Sequence, residues 1–259
     1  MQDGARGGVA RVSWFLAAWR LAGAVAHGLA GIVLVLTRLP RQTPGQRHET
    51  IARWAAGLLQ RLGLRLQVEG QFRPGAKLVV ANHVSWLDIM AVHAACPQAR
   101  FVSKAEVRHW PLVNRLVDAA GTLYLERERR RDAMRVVHQM AEALQQGDTV
   151  AVFPEGTTGR GPHPLPFHAN LLQAAIATGT PVQPVVLRYA DEAGAFSEAA
   201  EFVGDTTLAQ SLWHLARGRG LTVHLTVLPA QASAHADRRA LAQHLREQID
   251  QVLALHRHA

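Results

Sequence analysis

Residues 78–88 read Leu78-Val79-Val80-Ala81-Asn82-His83-Val84-Ser85-Trp86-Leu87-Asp88. The first four residues are apolar and follow the turn signal Pro74-Gly75, which predicts a short buried strand. The apolar residues after Ser85 predict a helix. His83 therefore lies in a strand-to-helix turn, which is where α/β proteins place their chemistry.

The spacing of His83 and Asp88 allows a general base with a carboxylate partner. Residues five apart lie roughly 140° apart on a continuous helix, so the two side chains meet only if His83 stays in the turn. Asp88 then occupies the first helical turn, with Ser85 as the N-cap. The same string has a second interpretation, because Ser-x-x-Asp is a capping box in which Asp88 only binds backbone donors.

A second apolar run, Val150-Ala151-Val152-Phe153, ends in another polar turn. That turn reads Pro154-Glu155-Gly156-Thr157-Thr158-Gly159-Arg160. Glycine permits close approach of the backbone to a ligand, and amides in such a turn can hold an anion or an oxyanion. Taken alone, the string is more typical of an ordinary loop at the end of a strand.

Together the two strings resemble the phospholipid/glycerol acyltransferase family, which includes the bacterial 1-acyl-glycerol-3-phosphate acyltransferases. That family is marked by Asn-His-x-x-x-x-Asp and, further along, by Phe-Pro-Glu-Gly-Thr. Two more blocks are similar, one at residues 101–127 that ends in Tyr124-Leu125-Glu126-Arg127 and one at residues 180–186. The resemblance covers roughly residues 50–230.

The alternation of predicted strands and helices indicates an α/β protein. The resemblance implies a single catalytic domain, glycerol-3-phosphate acyltransferase-like, with a mixed, largely parallel sheet flanked by helices. We expect this domain at residues 47–259. Residues 1–46 are expected to form a membrane-anchoring segment, as one apolar helix or a helix pair, with residues 40–46 as the linker.

The resemblance also implies a reaction, the direct transfer of an acyl group from acyl-CoA or acyl carrier protein to the free hydroxyl of a lysolipid. No further cofactor is implied. His83 would be the general base and Asp88 would orient it. The candidate residues for binding the acceptor are Asn82, Lys104, Arg127, Glu155, Gly156, Thr157 and Arg160. The chain has no Gly-x-Ser-x-Gly elbow, and its single thiol, Cys96, is predicted to be a packed residue rather than a nucleophile.

The favoured acceptor is 1-acyl-glycerol-3-phosphate, which would give phosphatidic acid. One departure bears on this choice, because enzymes of that type usually continue Phe-Pro-Glu-Gly-Thr with Arg-Ser, whereas this chain has Thr158-Gly159 before Arg160. Either Arg160 replaces the missing arginine or the acceptor lacks a phosphate. Enzymes that acylate lyso-ornithine lipid resemble this chain in a Glu-Gly-Thr-Thr-Gly run, so that acceptor stays open as the alternative.

The formal net charge of +8 indicates an anionic partner, and its distribution favours a membrane. Between Gly4 and His48 there is no acidic residue, while six arginines surround a mostly apolar stretch. Aromatic residues make up only 6% and no nucleic-acid module is present, so nucleic acid is not expected. No two histidines have the His-x-x-x-His spacing, and we expect no metal site. The competing interpretation from another class is a non-catalytic, basic membrane-binding protein.

How the anchor meets the bilayer is less determined by sequence. The run from Leu21 to Thr37 would be about 25 Å long as a helix, slightly less than the roughly 30 Å hydrocarbon core. Gly28 and Gly31 could bend it into two shorter helices, and arginines flank it on both sides. The favoured interpretation is an anchor in the cytoplasmic leaflet of the inner membrane, because acyl thioesters are cytosolic.

Hydrophobic spacing predicts the scaffold around these motifs. Amphipathic helices are expected at residues 48–62 and along a stripe of Met134, Val137, Ala141 and Leu144. A helix ended by Gly179, a late strand at residues 221–227 and a final helix striped by Leu241, Leu245, Ile249 and Val252 complete the prediction.

Overall fold

A computed structural model describes residues 11–104, 113–125 and 130–257 of the chain. Its centre is a seven-stranded sheet in the order β1-β7-β6-β2-β5-β3-β4, and only the β6–β7 pair is antiparallel. The strands are β1 (Arg65–Glu69), β2 (Lys77–Ala81), β3 (Ala99–Lys104), β4 (Leu123–Leu125), β5 (Thr149–Val152), β6 (Val182–Ala190) and β7 (Thr222–Val227). The predicted fold class, mixed but largely parallel, is confirmed.

Eight α-helices connect and cover the sheet within the described residues. They are α1 (Trp14–Thr37), α2 (Pro44–Arg61), α3 (Leu87–Ala95), α4 (Val113–Ala119), α5 (Arg130–Gln145), α6 (Gln173–Thr178), α7 (Leu208–Arg217) and α8 (Arg238–Ala254). The helix predicted to end at Gly179 does so, because that glycine has φ +63° and caps α6 in the left-handed conformation.

Alternate residues of the central strands pack into two separate hydrophobic layers, one on each face of the sheet. Val79 and Ala151 pack on one face with α2, α3 and α7. Val80 and Val150 pack on the other face with α5, α6 and α8. Because successive strand residues point to opposite faces, a sheet covered on both sides needs continuous apolar runs, which is what residues 78–81 and 150–153 supply.

Two of the predicted helices differ from the structure in detail. Helix α2 starts four residues earlier than expected, at Pro44, because Thr43 and Gln46 form a capping box there. Much of the expected linker therefore belongs to a short 3-10 helix, Leu39–Arg41, and to the start of α2. In α5 the side chain of Met134 is exposed, and Val136 and Met140 take buried positions instead, so the predicted stripe is wrong at Met134.

Helix α1 is one continuous helix, Trp14–Thr37, so of the two expected forms of the anchor the single helix is the one present, and the helix pair with a bend at Gly28 and Gly31 is not. Its small residues Ala17, Ala24 and Gly31 recur every seven positions and are buried against the domain. A Cβ atom on Gly31 would lie 2.3 Å from the indole nitrogen of Trp54 in α2, so only glycine allows this approach. Arg20 also donates hydrogen bonds to the carbonyl oxygens of Ala216 and Gly218 at the end of α7.

Outward-facing residues of α1 remain apolar. Among the described residues, one helical segment, Trp14–Arg41, has the length and the apolar composition needed to cross a membrane. Its exposed large side chains are Trp14, Phe15, Leu16, Trp19, Val25, Leu29, Val33 and Leu36. The helix therefore has a docked inner face of small residues and an outer face of large apolar ones.

Candidate active site

Three adjacent parallel strands, β6, β2 and β5, bring the two sequence motifs together. The residue pairs Leu78–Val182 and Leu78–Val150 fix their register. Because the strands run in the same direction, their carboxyl ends meet at one edge of the sheet. His83 leaves β2 at this edge and Glu155 leaves β5 beside it, with the backbone nitrogen of His83 2.8 Å from Glu155 Oε1.

The carboxylate of Asp88 is fully buried and accepts four hydrogen bonds. Its Oδ2 atom accepts from His83 Nδ1 at 2.8 Å and from the backbone nitrogens of Val84 and Ser85 at 2.7 and 2.9 Å. Its Oδ1 atom accepts from the hydroxyl of Tyr189 at 2.6 Å. Burial and the neighbouring Asp88 raise the pKa of Tyr189 well above its usual value, so this hydroxyl stays protonated and donates.

The imidazole of His83 is fixed in plane as well as in hydrogen bonding. It stacks on Phe153 with ring centroids 4.1 Å apart and an interplanar angle of 10°. An ionised carboxylate only accepts, so its bond to Asp88 assigns the ring proton to Nδ1. Nε2 is then the basic nitrogen, and among the described residues nothing hydrogen-bonds to it. The side chain is 19% exposed, which leaves a path for a substrate hydroxyl.

Capping and dyad formation coexist in this turn, although not as predicted. Asp88 accepts from the backbone of Ser85, which is half of a capping box. Helix α3 nevertheless starts at Leu87 with Trp86 at the N-cap position. The hydroxyl of Ser85 is buried and has no hydrogen-bond partner within the described residues. The prediction of Ser85 as N-cap is therefore wrong, while the predicted contact between His83 and Asp88 is present.

Glu155 supports the backbone of the turn with both of its carboxylate oxygens. Oε1 accepts from His83 and Oε2 accepts from the backbone nitrogen of Leu165 at 2.9 Å. Burial raises the pKa of Glu155 to about 7, and the two backbone hydrogen bonds oppose that rise. With both oxygens occupied in this way, Glu155 ties the loop after β5 to the turn after β2.

Asn82 has a comparable role on the other side of β2. Its side chain is buried, its amide nitrogen donates to the carbonyl oxygen of Leu187, and its amide oxygen accepts from the nitrogen of Leu187, both at 2.8 Å. A side chain that satisfies a strand residue twice holds β2 against β6 just where β2 ends.

The remaining predicted site residues fall into two groups. Gly156, Thr157 and Arg160 lie in the loop after β5, close to the turn, because the nitrogen of Gly159 donates to the carbonyl oxygen of His83 at 2.7 Å. Gly156 has φ +70°, a conformation that favours glycine. Lys104 ends β3 at the same edge of the sheet, but its side chain lies outside the described part of the structure, and Arg127 lies outside the described residues.

Sequence reasoning missed several residues that complete this arrangement. Tyr189, Leu165 and Phe202 reach the turn from distant parts of the chain; the nitrogen of Phe202 donates to the carbonyl oxygen of Val84 at 3.2 Å. Tyr189 offered a weak signal, as a hydroxyl-bearing residue near the end of the apolar run that forms β6. Cys96 is buried beside α3, and burial raises the pKa of its thiol to about 11, which agrees with a packed residue.

The fold and this edge of the sheet together define a class of protein, an α/β enzyme with a histidine–carboxylate pair that can accept a proton from a hydroxyl group. A family model described as Acyltransferase matches residues 65–188. The chain is 37% identical over 244 residues to the lyso-ornithine lipid O-acyltransferase of Pseudomonas aeruginosa, covering 93% of each chain. It is 36% identical over 214 residues to the 1-acyl-sn-glycerol-3-phosphate acyltransferase of Neisseria meningitidis, covering 82% of this chain and 83% of that protein.

A solved structure agrees with the fold. The crystal structure of the 1-acyl-sn-glycerophosphate (LPA) acyltransferase PlsC from Thermotoga maritima superimposes with a TM-score of 0.72 at 22% identity, covering 93% of this chain and 94% of that one. The chain belongs to the acyltransferase family of these relatives, as its two motifs predicted, and it is an acyltransferase that uses a lysolipid acceptor.

Proposed function

We propose that this enzyme acylates the free hydroxyl of a lysolipid by general-base catalysis, with an acyl thioester as donor. The observation that carries the proposal is the 2.8 Å contact between His83 Nδ1 and Asp88 Oδ2, which leaves Nε2 as the basic atom. General-base assistance of this kind contributes about 10²–10⁴-fold in rate. Asp88 fixes the tautomer of the imidazole and stabilises the imidazolium that forms.

The reaction needs one proton acceptor that later returns the proton. Nε2 of His83 takes the proton of the acceptor hydroxyl as its oxygen bonds to the thioester carbonyl carbon. The carbon–sulfur bond then breaks, and the thiolate of CoA or of the carrier protein receives the proton from Nε2. No acyl-enzyme is needed, which agrees with the burial of Cys96.

The donor is acyl-CoA or acyl carrier protein. A formal net charge of +8 favours an acidic partner, because complementary charge accelerates encounter. The acceptor candidates are the two lysolipids already considered, 1-acyl-glycerol-3-phosphate and lyso-ornithine lipid.

The enzyme works at the cytoplasmic face of the inner membrane, with α1 lying in the bilayer interface. What supports this arrangement is the docking of α1 along α2 and α7, which leaves only its outer apolar face for lipid. Trp19 on that face is 78% exposed. A helix whose inner face is occupied by its own domain buries its outer face in lipid most easily by lying in the interface.

Release of free CoA from acyl-CoA plus lysolipid tests the catalytic proposal. His83→Ala should reduce turnover about 10²–10⁴-fold, whereas His138→Ala, at an exposed histidine of α5, should not change it. Full activity of His83→Ala would remove His83 from the role of base.

Flotation with anionic vesicles tests the membrane proposal, since Trp19→Glu should bind less than Met134→Glu, which alters an exposed apolar residue on the opposite layer. Equal binding of the two variants would contradict it.

A further inference from the structure

An ion pair lies directly beside the catalytic turn and has no part in the chemistry described above. Arg160 Nη1 is 3.4 Å from Glu201 Oε2. Residue 160 follows Gly159, which hydrogen-bonds to His83, and Glu201 precedes Phe202, which hydrogen-bonds to Val84. Both charged residues are therefore one position away from a residue that contacts the turn bearing the general base.

The second loop is tied to the first by more than this pair. The hydroxyl of Thr158 donates a hydrogen bond to the carbonyl oxygen of Phe202. The segments at residues 158–160 and 201–202 therefore both lie against the turn. They place the cation of Arg160 and the anion of Glu201 next to each other beside it.

The two partners differ in exposure, and each has hydrogen-bonding groups that their mutual contact does not use. The side chain of Arg160 is 75% exposed and that of Glu201 only 15%. The contact uses one nitrogen of the Arg160 guanidinium group, which has five N–H donors, and one of the two carboxylate oxygens of Glu201. The pair can open or bridge to a ligand that carries both charges.

We infer that Arg160 and Glu201 bind the headgroup of a lysolipid that carries both a carboxylate and an ammonium group, as an amino-acid headgroup does. Arg160 binds the carboxylate through its planar fork of donors, and Glu201 accepts from the ammonium group. In lyso-ornithine lipid the free hydroxyl lies only a few bonds from the ornithine carboxylate. Residues beside His83 are therefore at the right distance to bind that headgroup. The inference rests on the proposed function and specifies its acceptor.

The same pair disfavours a phosphate headgroup. A phosphate monoester brings only negative charge, which Arg160 attracts and Glu201 repels at close range. Burial raises the pKa of Glu201, Arg160 opposes that rise, and the neighbouring carboxylate of Glu198 adds to it. This enzyme therefore discriminates between the two acceptors by an unfavourable contact as well as by a favourable one.

The test compares kcat/KM for lyso-ornithine lipid and lysophosphatidic acid with matched acyl chains in the same mixed micelles. The wild-type enzyme should prefer lyso-ornithine lipid. Glu201→Gln should lower kcat/KM for that acceptor about tenfold, chiefly through KM, and leave or raise kcat/KM for lysophosphatidic acid. Glu49→Gln, which removes an exposed ion pair with Arg53 on α2, is the control and should leave the acceptor ratio unchanged.

A modified acceptor tests the wild-type protein without any substitution. Lyso-ornithine lipid acetylated on its side-chain nitrogen keeps the carboxylate and loses the ammonium charge. Wild type should then lose about tenfold in kcat/KM, and Glu201→Gln should lose nothing further. Preference of wild type for lysophosphatidic acid, or tolerance of the acetylated acceptor, would overturn the inference while leaving His83 as the base. Turnover with neither lysolipid would instead contradict the proposed function.

Discussion

The hydroxyl of Tyr189 donates a 2.6 Å hydrogen bond to Oδ1 of Asp88, the carboxylate oxygen that His83 does not use. The two residues are 101 positions apart and both are buried. Tyr189 in the core is therefore connected to the imidazole of His83 through two hydrogen bonds, one to each carboxylate oxygen of Asp88. Because Oδ2 accepts three N–H groups, the bond to Oδ1 fixes the last rotational freedom of the carboxylate.

Tyr189→Phe should lower kcat about three- to tenfold with little change in KM, because a hydrogen bond to a buried charge is lost while the acceptor site is untouched. Steady-state kinetics of CoA release measures both parameters. Tyr124→Phe removes the hydroxyl of the only other tyrosine, which bonds to Asp118 instead, and should have a much smaller effect. A kcat of Tyr189→Phe equal to wild type would show that Asp88 needs no support from β6.

Asp88→Asn should keep the fold and lose the catalytic advantage. The amide oxygen can still accept from the backbone nitrogens of Val84 and Ser85, so the melting temperature should change little. The charge that stabilises the imidazolium of His83 is gone, and turnover should fall about 10²–10⁴-fold. Thermal unfolding and CoA release on the same preparation separate the two effects. A variant that retains a third of the activity would argue that Asp88 is only a helix cap.

At pH 8, above the pKa of about 7 that burial gives Glu155, Glu155→Gln should destabilise the protein by about 1–3 kcal/mol. The amide nitrogen of glutamine would face a backbone N–H group from which the ionised carboxylate accepts a hydrogen bond. Either His83 or Leu165 loses its acceptor. Thermal unfolding in detergent measures the change, with Glu142→Gln in the exposed pair with His138 as the control. If both variants melt together, the carboxylate does not hold the two loops.

The same residue predicts a pH dependence of stability. The pKa of Glu155 is about 7 in the folded protein, against an ordinary value of 4.5 that applies to the unfolded chain. The folded state therefore keeps a proton that the unfolded state has released, and the stability due to Glu155 is complete below pH 4.5 and is lost as pH rises through 7. Wild type should lose stability relative to Glu155→Gln as the pH rises from about 4.5 to about 7, the range that these two pKa values set. Parallel melting curves would contradict this assignment.

Gly31→Ala should loosen α1 from the domain, because its Cβ atom would lie 2.3 Å from the indole nitrogen of Trp54. We expect a loss of about 1–3 kcal/mol in stability, as for other overpacked contacts. Gly28→Ala meets nothing within 4 Å and should be neutral or stabilising by about 0.5–1 kcal/mol, since alanine favours a helix. Melting temperatures in detergent compare the pair. Equal temperatures would indicate that α1 does not dock on α2.

Local pattern was sufficient for the dyad and for much of the scaffold. The apolar runs before Asn82 and Pro154 predicted β2 and β5, and the contact between His83 and Asp88 spans only five positions. Local pattern failed where tertiary contacts choose among similar alternatives. Met134 continues a plausible helical stripe, yet the adjoining stripe is the one that meets the sheet, and Gly28 and Gly31 look alike although only Gly31 contacts Trp54.

The sequence by itself determined the family and the α/β class, because these depend on short motifs and on the alternation of predicted strands and helices along the chain. It also determined the candidate base and its partner, because both lie within one short segment. Tertiary structure alone decided which distant residues support and surround them. Tyr189 lies 101 positions from Asp88, Glu155 lies 72 from His83, and Glu201 lies 41 from Arg160. These contacts depend on the order β6-β2-β5 and on the path of the loops, and hydrophobic periodicity, which reports only which face of an element is buried, does not encode strand order.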